Sequence, residues 1–328
     1  MRWEILKLLR VQSPNYLSGE EMAARFQVSR TAVWKNVQAL QAAGYRIEGS
    51  TRLGYRLFGS PDFLYPVEIV PGPATQIIAV SPQMIHHYPR VDSTNNILKE
   101  LAGKGAPEGT VVVAEEQTGG RGRLGRGWDS PAGKGILLSI LFRPPLAPSQ
   151  TPLFTLLAAG AVAGVIKAHL PALKPGIKWP NDLLLGQRKV CGILTEMKAE
   201  SDLLHYLITG IGLNVNCQEK DFPPELQQSA TSLYLQNNKI AVSRQKLAAG
   251  ILQEIDRLYR VFLDGGTDQI INTWKKYNIT LGNRVAVRTL QGVFAGRAAD
   301  LDSDGALLVE DKNGKNHRFL AGEVSLHP

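Results

Sequence analysis

One short stretch of the sequence combines residue types that can hold an anionic ligand. Residues 119–128 read Gly-Gly-Arg-Gly-Arg-Leu-Gly-Arg-Gly-Trp, so five glycines and three arginines directly follow a strand-like segment. Each guanidinium can hold a pair of phosphate or carboxylate oxygens through two parallel hydrogen bonds. The alternation with glycine predicts a flexible loop that becomes ordered when it folds over an anionic ligand. Trp128 at its end can stack on a base or cover an apolar pocket.

The same loop matches the dinucleotide-binding pattern G-x-G-x-x-G through Gly120, Gly122 and Gly125. That pattern works at the start of a helix, whose N-terminus takes the pyrophosphate. Here the chain continues as Asp-Ser-Pro-Ala-Gly over residues 129–133, which cannot propagate a helix. An Arg/Gly stretch that binds nucleic acid is the remaining alternative, and the strands predicted on both sides disfavour it.

A second group of charged residues lies in Lys178–Asp182 and in Arg188-Lys189. The dipeptide Gly186-Gln187 between them predicts a hairpin turn, after which Arg188 and Lys189 point to opposite faces of a strand. A lysine fixed near a phosphate neutralises charge that develops in a transition state. Asp182 is expected either to orient that lysine or an incoming amine, or only to cap the turn.

A third polar run, at residues 91–96, reads Val-Asp-Ser-Thr-Asn-Asn and is predicted to end a strand and cap the following helix. Backbone N–H groups and hydroxyls then converge at the positive end of that helix. Helix capping alone explains such a run in most proteins. It therefore points to a ligand site only in combination with the other two clusters.

The elements that must position these clusters indicate a mixed α/β domain over residues 83–280. Strands are predicted at 110–116, 135–142, 183–185, 189–197 and 203–215, and helices at 95–101, 152–169, 244–263 and 268–277. The turn at 186–187 requires part of the sheet to be antiparallel. Residues 281–328 contain four short strand-like runs, which predict a small SH3-like β-barrel.

Residues 1–60 predict a winged helix-turn-helix, because three helical segments precede a hairpin. Ser18 with Glu21 predicts a capping box for the second helix, and Ser29 is expected to cap the third. The start and outer face of the third helix carry groups that can reach base edges and phosphates: Ser29, Arg30, Thr31, Trp34, Lys35, Gln38 and Gln41. Arg52 at the hairpin tip is expected to contact the neighbouring DNA backbone. The alternative is a solvated helix face in a protein–protein module.

The distribution of charge favours DNA binding by this segment. The chain has a net charge of +8, and residues 1–60 contain nine Lys/Arg against four Glu, so more than half of the excess lies there. A local basic excess attracts phosphate backbones. The prolines that begin at Pro61, after none over residues 15–60, indicate a linker at 61–82.

Membrane and metal-centre classes are disfavoured. No segment approaches eighteen uninterrupted apolar residues and the charged N-terminus does not resemble a secretory signal, so a cytoplasmic protein is expected. Cys191 and Cys217 cannot form a disulfide framework and lack companions at metal-ligand spacing. His86 and His87 also lack a third ligand nearby, so no metal site is predicted.

The combination of motifs resembles the biotin protein ligase family, in its bifunctional form that also represses biotin operons. The segments that carry the resemblance are Glu116-Gln117, Gly120–Trp128, Lys178–Asp182, Arg188-Lys189 with Gly192-Ile193, and the Gly-Ile-Gly-Leu-Asn-Val-Asn run at 210–216. The resemblance covers nearly the whole chain. It implies a multidomain α+β protein with a winged helix-turn-helix at 1–60, a ligase core at 83–280 and a small β domain at 281–328.

The resemblance also implies roles for individual residues. The side chains implied for the ureido ring and the rim of a biotin pocket are Ser93, Thr94, Asn95 and Gln117. Those implied to close over biotin's carboxylate and the α-phosphate are Arg121, Gly122, Arg123 and Arg126. Those implied on the nucleotide side are Asn214, Asn216 and Trp128. Lys189 would bind the carboxylate–phosphate junction in both steps, and Asp182 would position the attacking lysine.

The implied reaction has two steps and several partners. Biotin's carboxylate attacks the α-phosphate of Mg-ATP and releases pyrophosphate, and a lysine of a biotin carboxyl carrier protein then attacks the mixed anhydride and releases AMP. Operator DNA is the second implied partner. The adenylate is expected to favour a homodimer, whose two winged helices require a palindromic operator.

Two positions depart from the family pattern. Leu124 stands where some members carry another arginine, and His327 stands where an adenine-contacting arginine occurs in some members. The alternatives to an active biotin ligase are a DNA-binding regulator with an inactive ligase fold and a lipoate-type ligase of similar architecture. The retained Arg121, Arg123 and Lys189 argue against the first, and the Arg-Gly-Arg loop with the winged helix argues against the second.

Overall fold

The computed structural model describes residues 1–72, 75–200, 203–289 and 292–326, and the chain divides into two compact units, Met1–Phe63 and Leu64–Pro328. His327 lies outside the described residues.

The N-terminal unit consists of three helices and a hairpin, as the sequence predicts. Its elements are α1 (Arg2–Gln12), α2 (Gly19–Phe26), α3 (Arg30–Ala42), β1 (Arg46–Ser50) and β2 (Gly54–Gly59). Ser29 caps α3, because its hydroxyl accepts the Ala32 N–H at 3.1 Å. Ser18 caps α2 through the Glu20 N–H at 3.2 Å, so the predicted capping box with Glu21 is not the bond that forms.

A mixed seven-stranded sheet forms the centre of the second unit. Its strands are β3 (Ile85–Tyr88), β4 (Val111–Ala114), β5 (Gly135–Phe142), β6 (Pro175–Lys178), β7 (Asp182–Leu185), β8 (Arg188–Glu200) and β9 (Leu203–Asn214). They are ordered β3-β4-β5-β9-β8-β7-β6. Among these strands β3 and β4 pair in parallel and the other neighbours pair antiparallel, in agreement with the predicted hairpin at 186–187.

The helices of this unit pack in two apolar clusters, of which the larger contains most of α6 and the smaller contains α5. They are α4 (Pro66–Ile69), α5 (Thr94–Gly103), α6 (Pro152–His169), α7 (Leu233–Gln236), α8 (Arg244–Leu263) and α9 (Thr267–Lys275). The segment Pro148–His169 is long and apolar enough to span a membrane, but 67% of its most apolar window is buried inside the unit. A helix that is apolar on every side belongs in a protein core as readily as in a membrane, and burial among the other elements explains this one.

The C-terminal part of the second unit is an antiparallel five-stranded sheet. Its strands are β10 (Arg284–Thr289), β11 (Gly292–Leu301), β12 (Leu307–Glu310), β13 (Asn316–Phe319) and β14 (Glu323–Leu326). Their order is β13-β12-β11-β10-β14, so within the described residues the two end strands do not pair and the predicted closed barrel is not confirmed. Val287 and Leu307 of this sheet are buried in the same apolar core as the central sheet.

The segment that the sequence assigns to a linker contains buried residues. Leu64, Ile69 and Ile78 are fully buried in the core of the second unit. The buried carboxylate of Asp256 on α8 accepts the backbone N–H groups of residues 76–78, at distances between 2.8 and 3.3 Å. The prolines therefore mark a change in local structure, but much of the stretch is packed against the domain that follows it.

The Asp256 anchor gives a test of stability. Replacing Asp256 by alanine removes the acceptor of three backbone N–H groups, so we expect the free energy of unfolding to fall by about 3 kcal/mol. Urea denaturation measures the change. Glu254→Gln on the same helix is the control, because Glu254 pairs with Arg257 at the surface and its loss is expected to cost less than about 1 kcal/mol. Equal losses in the two variants would contradict the proposed anchor.

Candidate active site

Residues 119–128 fold as a short hairpin, which we call the arginine hairpin. Arg121 and Gly127 form an antiparallel bridge, the Gly122 N–H donates to the Arg126 carbonyl at 2.7 Å, and the Trp128 N–H donates to the Gly120 carbonyl at 2.9 Å. Residues 129–134 contain no helix, which agrees with the exclusion of a dinucleotide-binding turn. Ordering of this segment by a ligand stays a prediction.

The arginine hairpin lines a cavity of about 420 Å³, a volume in the range of small-molecule sites. The other lining residues include most of those that the sequence predicts for ligand contact. The predicted residues brought together here are Ser93, Thr94, Asn95, Gln117, Arg121, Gly122, Arg123, Arg126, Trp128, Asp182, Lys189 and Asn214. Asn216 is the exception, because its side-chain amide bonds the backbone N–H and carbonyl of Val242 at 2.9 Å each.

Glycines on β8 and β9 make room for Trp128. A Cβ atom at Gly212 would come 2.5 Å from Trp128 Cε2, and one at Gly192 would come 3.0 Å from Cζ3. The indole can therefore lie against the sheet only because these two positions lack side chains. Its ring centroid is 5.5 Å from Lys189 Nζ, a distance at which a cation is attracted to the face of an aromatic ring.

Arg123 connects the hairpin to the C-terminal sheet and to the segment between β6 and β7. Its guanidinium donates to Asn181 Oδ1 at 3.3 Å and to the Gly322 carbonyl at 3.1 Å. Burial lowers the pKa of Arg123, while the charges of Asp182 and Glu323 act in the opposite direction. An arginine stays protonated under such a shift, so Arg123 presents a partly desolvated positive charge at the cavity.

The other two arginines of the hairpin contact different elements. Arg126 pairs with Glu323 Oε1 at 2.6 Å, and Arg121 donates to the side-chain oxygen of Asn96. Both arginines are exposed to solvent. The three guanidinium groups therefore lie around one cavity, and each is oriented by partners that are distant from the hairpin in sequence.

A carboxylate lies between two lysines at the same cavity. Asp182 Oδ1 is 2.7 Å from Lys189 Nζ, and Oδ2 is 3.8 Å from Lys178 Nζ. Of the two interpretations that the sequence leaves open, this geometry favours the one in which Asp182 orients the lysine.

At another part of the lining, neutral polar groups hold the start of α5. Gln117 Oε1 accepts both the backbone N–H and the hydroxyl of Thr94, at 2.8 and 2.9 Å. Capping of α5 was predicted for the run at 91–96, but Ser93, which occupies the N-cap position, makes no side-chain cap bond. The Gln117 amide takes that place because its chain segment is held against α5 by the bridge between Val91 and Gln117.

A buried network continues from Thr94 into the sheet. The Ser139 hydroxyl contacts Thr94 Oγ1 at 2.7 Å and also bonds Asn95 Oδ1, while Asn95 Nδ2 donates to Glu196 Oε2 at 2.7 Å. Burial acts to raise the pKa of Glu196, but hydrogen bonds from Lys99 and Asn95 outweigh it and the pKa is lowered. Glu196 therefore stays ionised and fixes the orientation of the Asn95 amide.

Two buried polar atoms at the cavity have no hydrogen-bond partner within the described residues. They are Asn214 Oδ1 and Trp128 Nε1, an acceptor and a donor. Asn214 Nδ2, in contrast, donates to the Thr231 carbonyl at 3.1 Å. Buried polar atoms in native proteins nearly always have partners, so these two indicate where a polar ligand completes the site.

Most of the predicted DNA-binding residues lie on α3 or at its N-cap, and Arg52 lies on the hairpin of the same unit. Ser29, Arg30, Thr31, Lys35 and Gln38 are exposed, Trp34 is 50% exposed, and Arg52 is exposed at the turn between β1 and β2. Gln41 differs, because its amide donates to the Ile47 carbonyl at 2.7 Å and supports the hairpin. Gln41 is half-buried, so its amide is committed to the hairpin although the residue was predicted on the outer face.

Comparison with known proteins identifies the family. Residues 88–214 match the biotin/lipoate A/B protein ligase family, 2–56 match an HTH domain, and 280–327 match the biotin protein ligase C-terminal domain. The bifunctional ligase/repressor BirA of Bacillus spizizenii is 40% identical over 96% of this chain and 95% of its own length. The chain belongs to the biotin protein ligase family.

A second bifunctional relative and a solved ligase structure agree with this family assignment. The bifunctional ligase/repressor BirA of Bacillus subtilis is 39% identical over 96% of this chain and 95% of its own length. A solved biotin protein ligase from Aquifex aeolicus, in complex with biotin and ATP, superposes with a TM-score of 0.63 and 29% identity, over 74% of this chain and 98% of that chain.

Several cavity residues of this ligase-family chain carry no signal in the sequence. Gly322 and Glu323 line the cavity from the C-terminal sheet and the residue before it. Ser139, from the middle of an apolar strand, does not line the cavity but supports Thr94 and Asn95, which do. Their roles depend on pairing between distant segments.

The glycine floor under Trp128 can be tested by substitution. In Gly212→Ala the new Cβ would meet the indole, so we expect Trp128 to move off the sheet and its fluorescence to shift to longer wavelength. Subtracting the spectrum of Trp128→Phe, alone and combined with each glycine variant, isolates the Trp128 emission. Gly127→Ala is the matched control, because a Cβ there has nothing within 4 Å. The same shift in both variants would argue against close packing of Trp128 on Gly212.

Proposed function

We propose that this protein joins biotin to a lysine of a biotin carboxyl carrier protein, through biotinyl-5′-AMP made from biotin and Mg-ATP, and that it also represses biotin genes by binding operator DNA. The observation that carries the proposal is the single cavity in which the three arginines, Lys189 and Asp182 meet, in a chain that is 40% identical to a bifunctional ligase/repressor.

Biotin is assigned to the side of the cavity lined by Thr94, Asn95 and Gln117. The ureido ring is neutral and carries both N–H donors and a carbonyl acceptor, and hydroxyl and amide groups satisfy both kinds. The Thr94–Gln117 bonds and the ionised Glu196 hold these groups in fixed orientations before the ligand arrives. Such preorganisation lowers the entropic cost of binding.

The first step takes place among the cations. A carboxylate oxygen of biotin attacks the α-phosphorus of ATP, a new P–O bond forms, and the bond to the β-phosphate breaks as pyrophosphate leaves. Arg121, Arg123 and Lys189 stabilise the negative charge that develops on the α-phosphate oxygens. Trp128 and Asn214 are assigned to the nucleotide, because each has a buried polar atom left to satisfy.

The second step uses the charge pair between β7 and β8. The neutral ε-amine of the carrier lysine attacks the acyl carbon, an amide bond forms, and the C–O bond to AMP breaks. Asp182 lies 2.7 Å from Lys189 Nζ and is placed to hold an incoming ammonium and to accept a proton as the amine attacks. Lys189 then neutralises the departing phosphate.

The N-terminal unit is assigned to operator DNA. Its α3 presents exposed Arg30, Thr31, Lys35 and Gln38, and Arg52 lies at the tip of the hairpin that forms the wing. We further propose that the adenylate favours a homodimer, which sedimentation with and without the adenylate tests, and that the protein acts in the cytoplasm. An unchanged mass would reject the dimer.

A regulator with an inactive ligase fold is the competing function. It requires ligand binding but no chemistry, and the Lys189–Asp182 pair has no evident use in binding alone. Biotin-dependent exchange between ATP and labelled pyrophosphate separates the two, because only an active ligase catalyses it.

The role of Lys189 predicts a large kinetic effect. Lys189→Gln should reduce biotin-dependent ATP–pyrophosphate exchange by about 100-fold or more, since it removes a cation from the reacting phosphate. Mass spectrometry should show a matching decrease in the fraction of a carrier domain that has gained one biotinyl group on its lysine. Lys198→Gln is the control, because Lys198 is exposed on the same strand and does not line the cavity. Full exchange by the Lys189 variant would exclude this role.

The role of α3 predicts a change in salt dependence. Lys35→Ala should weaken binding to duplex DNA and reduce the slope of log affinity against log salt by about 1, as expected for loss of one phosphate contact. Fluorescence anisotropy over a salt series measures the slope. Lys7→Ala on α1 removes the same charge from another helix and should leave the slope unchanged. If both variants behave alike, the effect reflects net charge and α3 is not the DNA-contacting element.

A further inference from the structure

The two ends of the loop that carries the arginine hairpin are joined by one buried guanidinium. The loop leaves β4 at Glu115 and enters β5 at Gly135. Arg244 Nη1 lies 2.8 Å from Glu115 Oε2 and donates to the Gly135 carbonyl at 3.1 Å. The Gly133 N–H also donates to the Glu115 carbonyl at 3.0 Å. We call the Arg244–Glu115 pair the stem clamp.

The stem clamp is almost completely removed from solvent. Arg244 is 1% exposed and Glu115 is 5% exposed. The other oxygen of Glu115 accepts the Leu64 N–H at 2.8 Å and contacts His87 Nε2 at 3.0 Å. Burial acts to raise the pKa of Glu115, but the contacts with His87 and Arg244 outweigh it and lower the pKa. The carboxylate therefore stays charged opposite the guanidinium.

Stability alone does not account for a buried ion pair such as Arg244 with Glu115. Removing two charges from water is unfavourable, and apolar residues of the same volume often stabilise a fold equally well. The ion pair does fix the local geometry, because the Arg244 guanidinium bonds both ends of the loop at once. The stem clamp is therefore better explained by its effect on the position of the loop than by a contribution to stability alone.

On one side the stem clamp leads to the groups assigned to biotin. Gln117 follows Glu115 by two residues, and its side-chain oxygen Oε1 accepts the N–H and the hydroxyl of Thr94. Thr94 in turn contacts Ser139, whose hydroxyl also bonds Asn95. A displacement of Glu115 is therefore transmitted over two residues to the polar groups of the cavity.

On its other side, the stem clamp connects to the groups assigned to the nucleotide. Arg244 begins α8 two residues after Val242, whose backbone is held by the side chain of Asn216. The N–H groups of Val215 and Asn216 donate to the Lys134 carbonyl at 3.3 and 2.7 Å, directly beside the loop end. The exit of β9, where Asn214 lies, is thereby fastened to the same stem.

We infer that Arg244 is a positioning residue that couples biotin binding to nucleotide binding by holding both ends of the loop in one arrangement. The inference rests on the proposed function. Arg244 does not line the cavity, so it acts through Glu115, Gln117 and the β9 exit rather than on the substrates. Each ligand, by fixing its own side of the cavity, then favours the stem geometry that the other requires.

The test compares the biotin dissociation constant with and without α,β-methylene ATP, which cannot release pyrophosphate, by calorimetry on the full chain. The ratio of the two constants is the coupling. Arg244→Met should reduce the coupling at least about fivefold, toward a ratio of one. Arg244→Lys keeps the charge but loses the fork that spans both ends, so it should recover only part of the coupling. Lys246→Met, an exposed position on the same helix, is the control.

Each outcome separates the possibilities. A merely structural role would lower the melting temperature of Arg244→Met and leave its coupling ratio unchanged, which would overturn the inference. If Arg244→Met does not fold, Arg244→Lys decides, because a ratio equal to that of the unsubstituted protein overturns the inference. A ratio of one in the unsubstituted protein also overturns it. Absence of any biotin and nucleotide binding to the unsubstituted protein would instead reject the proposed function.

Discussion

Five cationic side chains line one cavity, and their mutual repulsion is the constraint that shapes the surrounding structure. They are Arg121, Arg123, Arg126, Lys178 and Lys189. Like charges that share one cavity repel each other, and the repulsion grows as water is excluded from between them. The structure offsets this with Asp182, Glu323 and neutral oxygens. Because those acceptors come from β7, β14 and α5, distant parts of the chain have to converge where the cations lie.

The same acceptors determine how an anionic ligand binds. A phosphate that enters the cavity exchanges a protein carboxylate or carbonyl for its own oxygens, so the net gain is smaller than the number of new contacts implies. The exchange has a kinetic advantage, because the cations are already oriented and need little reorganisation during reaction. Under the proposed function, Asp182 has a particular place in this exchange, since phosphate binding to Lys189 would free it from that lysine.

Features that depend on neighbouring residues could be predicted from the sequence. The bounds of Gly135–Phe142, Pro152–His169 and Arg244–Leu263 agree with the predicted strand and helices, because periodicity and capping are local. The arginine hairpin was recognisable because its chemistry lies within ten residues. Glu323, Ser139 and the stem clamp were not, since each depends on contacts between residues far apart in sequence. The run at 91–96 was predicted to cap the helix, and the bond to the first N–H of α5 instead comes from the distant Gln117 for the same reason.

The two functional surfaces differ in how far local sequence can define them. A DNA-reading face is one side of one helix, so helical periodicity identified α3 and most of its exposed residues. Gln41 shows the limit, because a single bond to Ile47 on β1 takes its amide from that face. The cavity proposed as the catalytic site is built from segments more than 200 residues apart, such as Ser93 and Val324. Motifs identify the reacting groups there, but only the fold shows which acceptors hold them, and those acceptors set the free energy that a substrate must exchange.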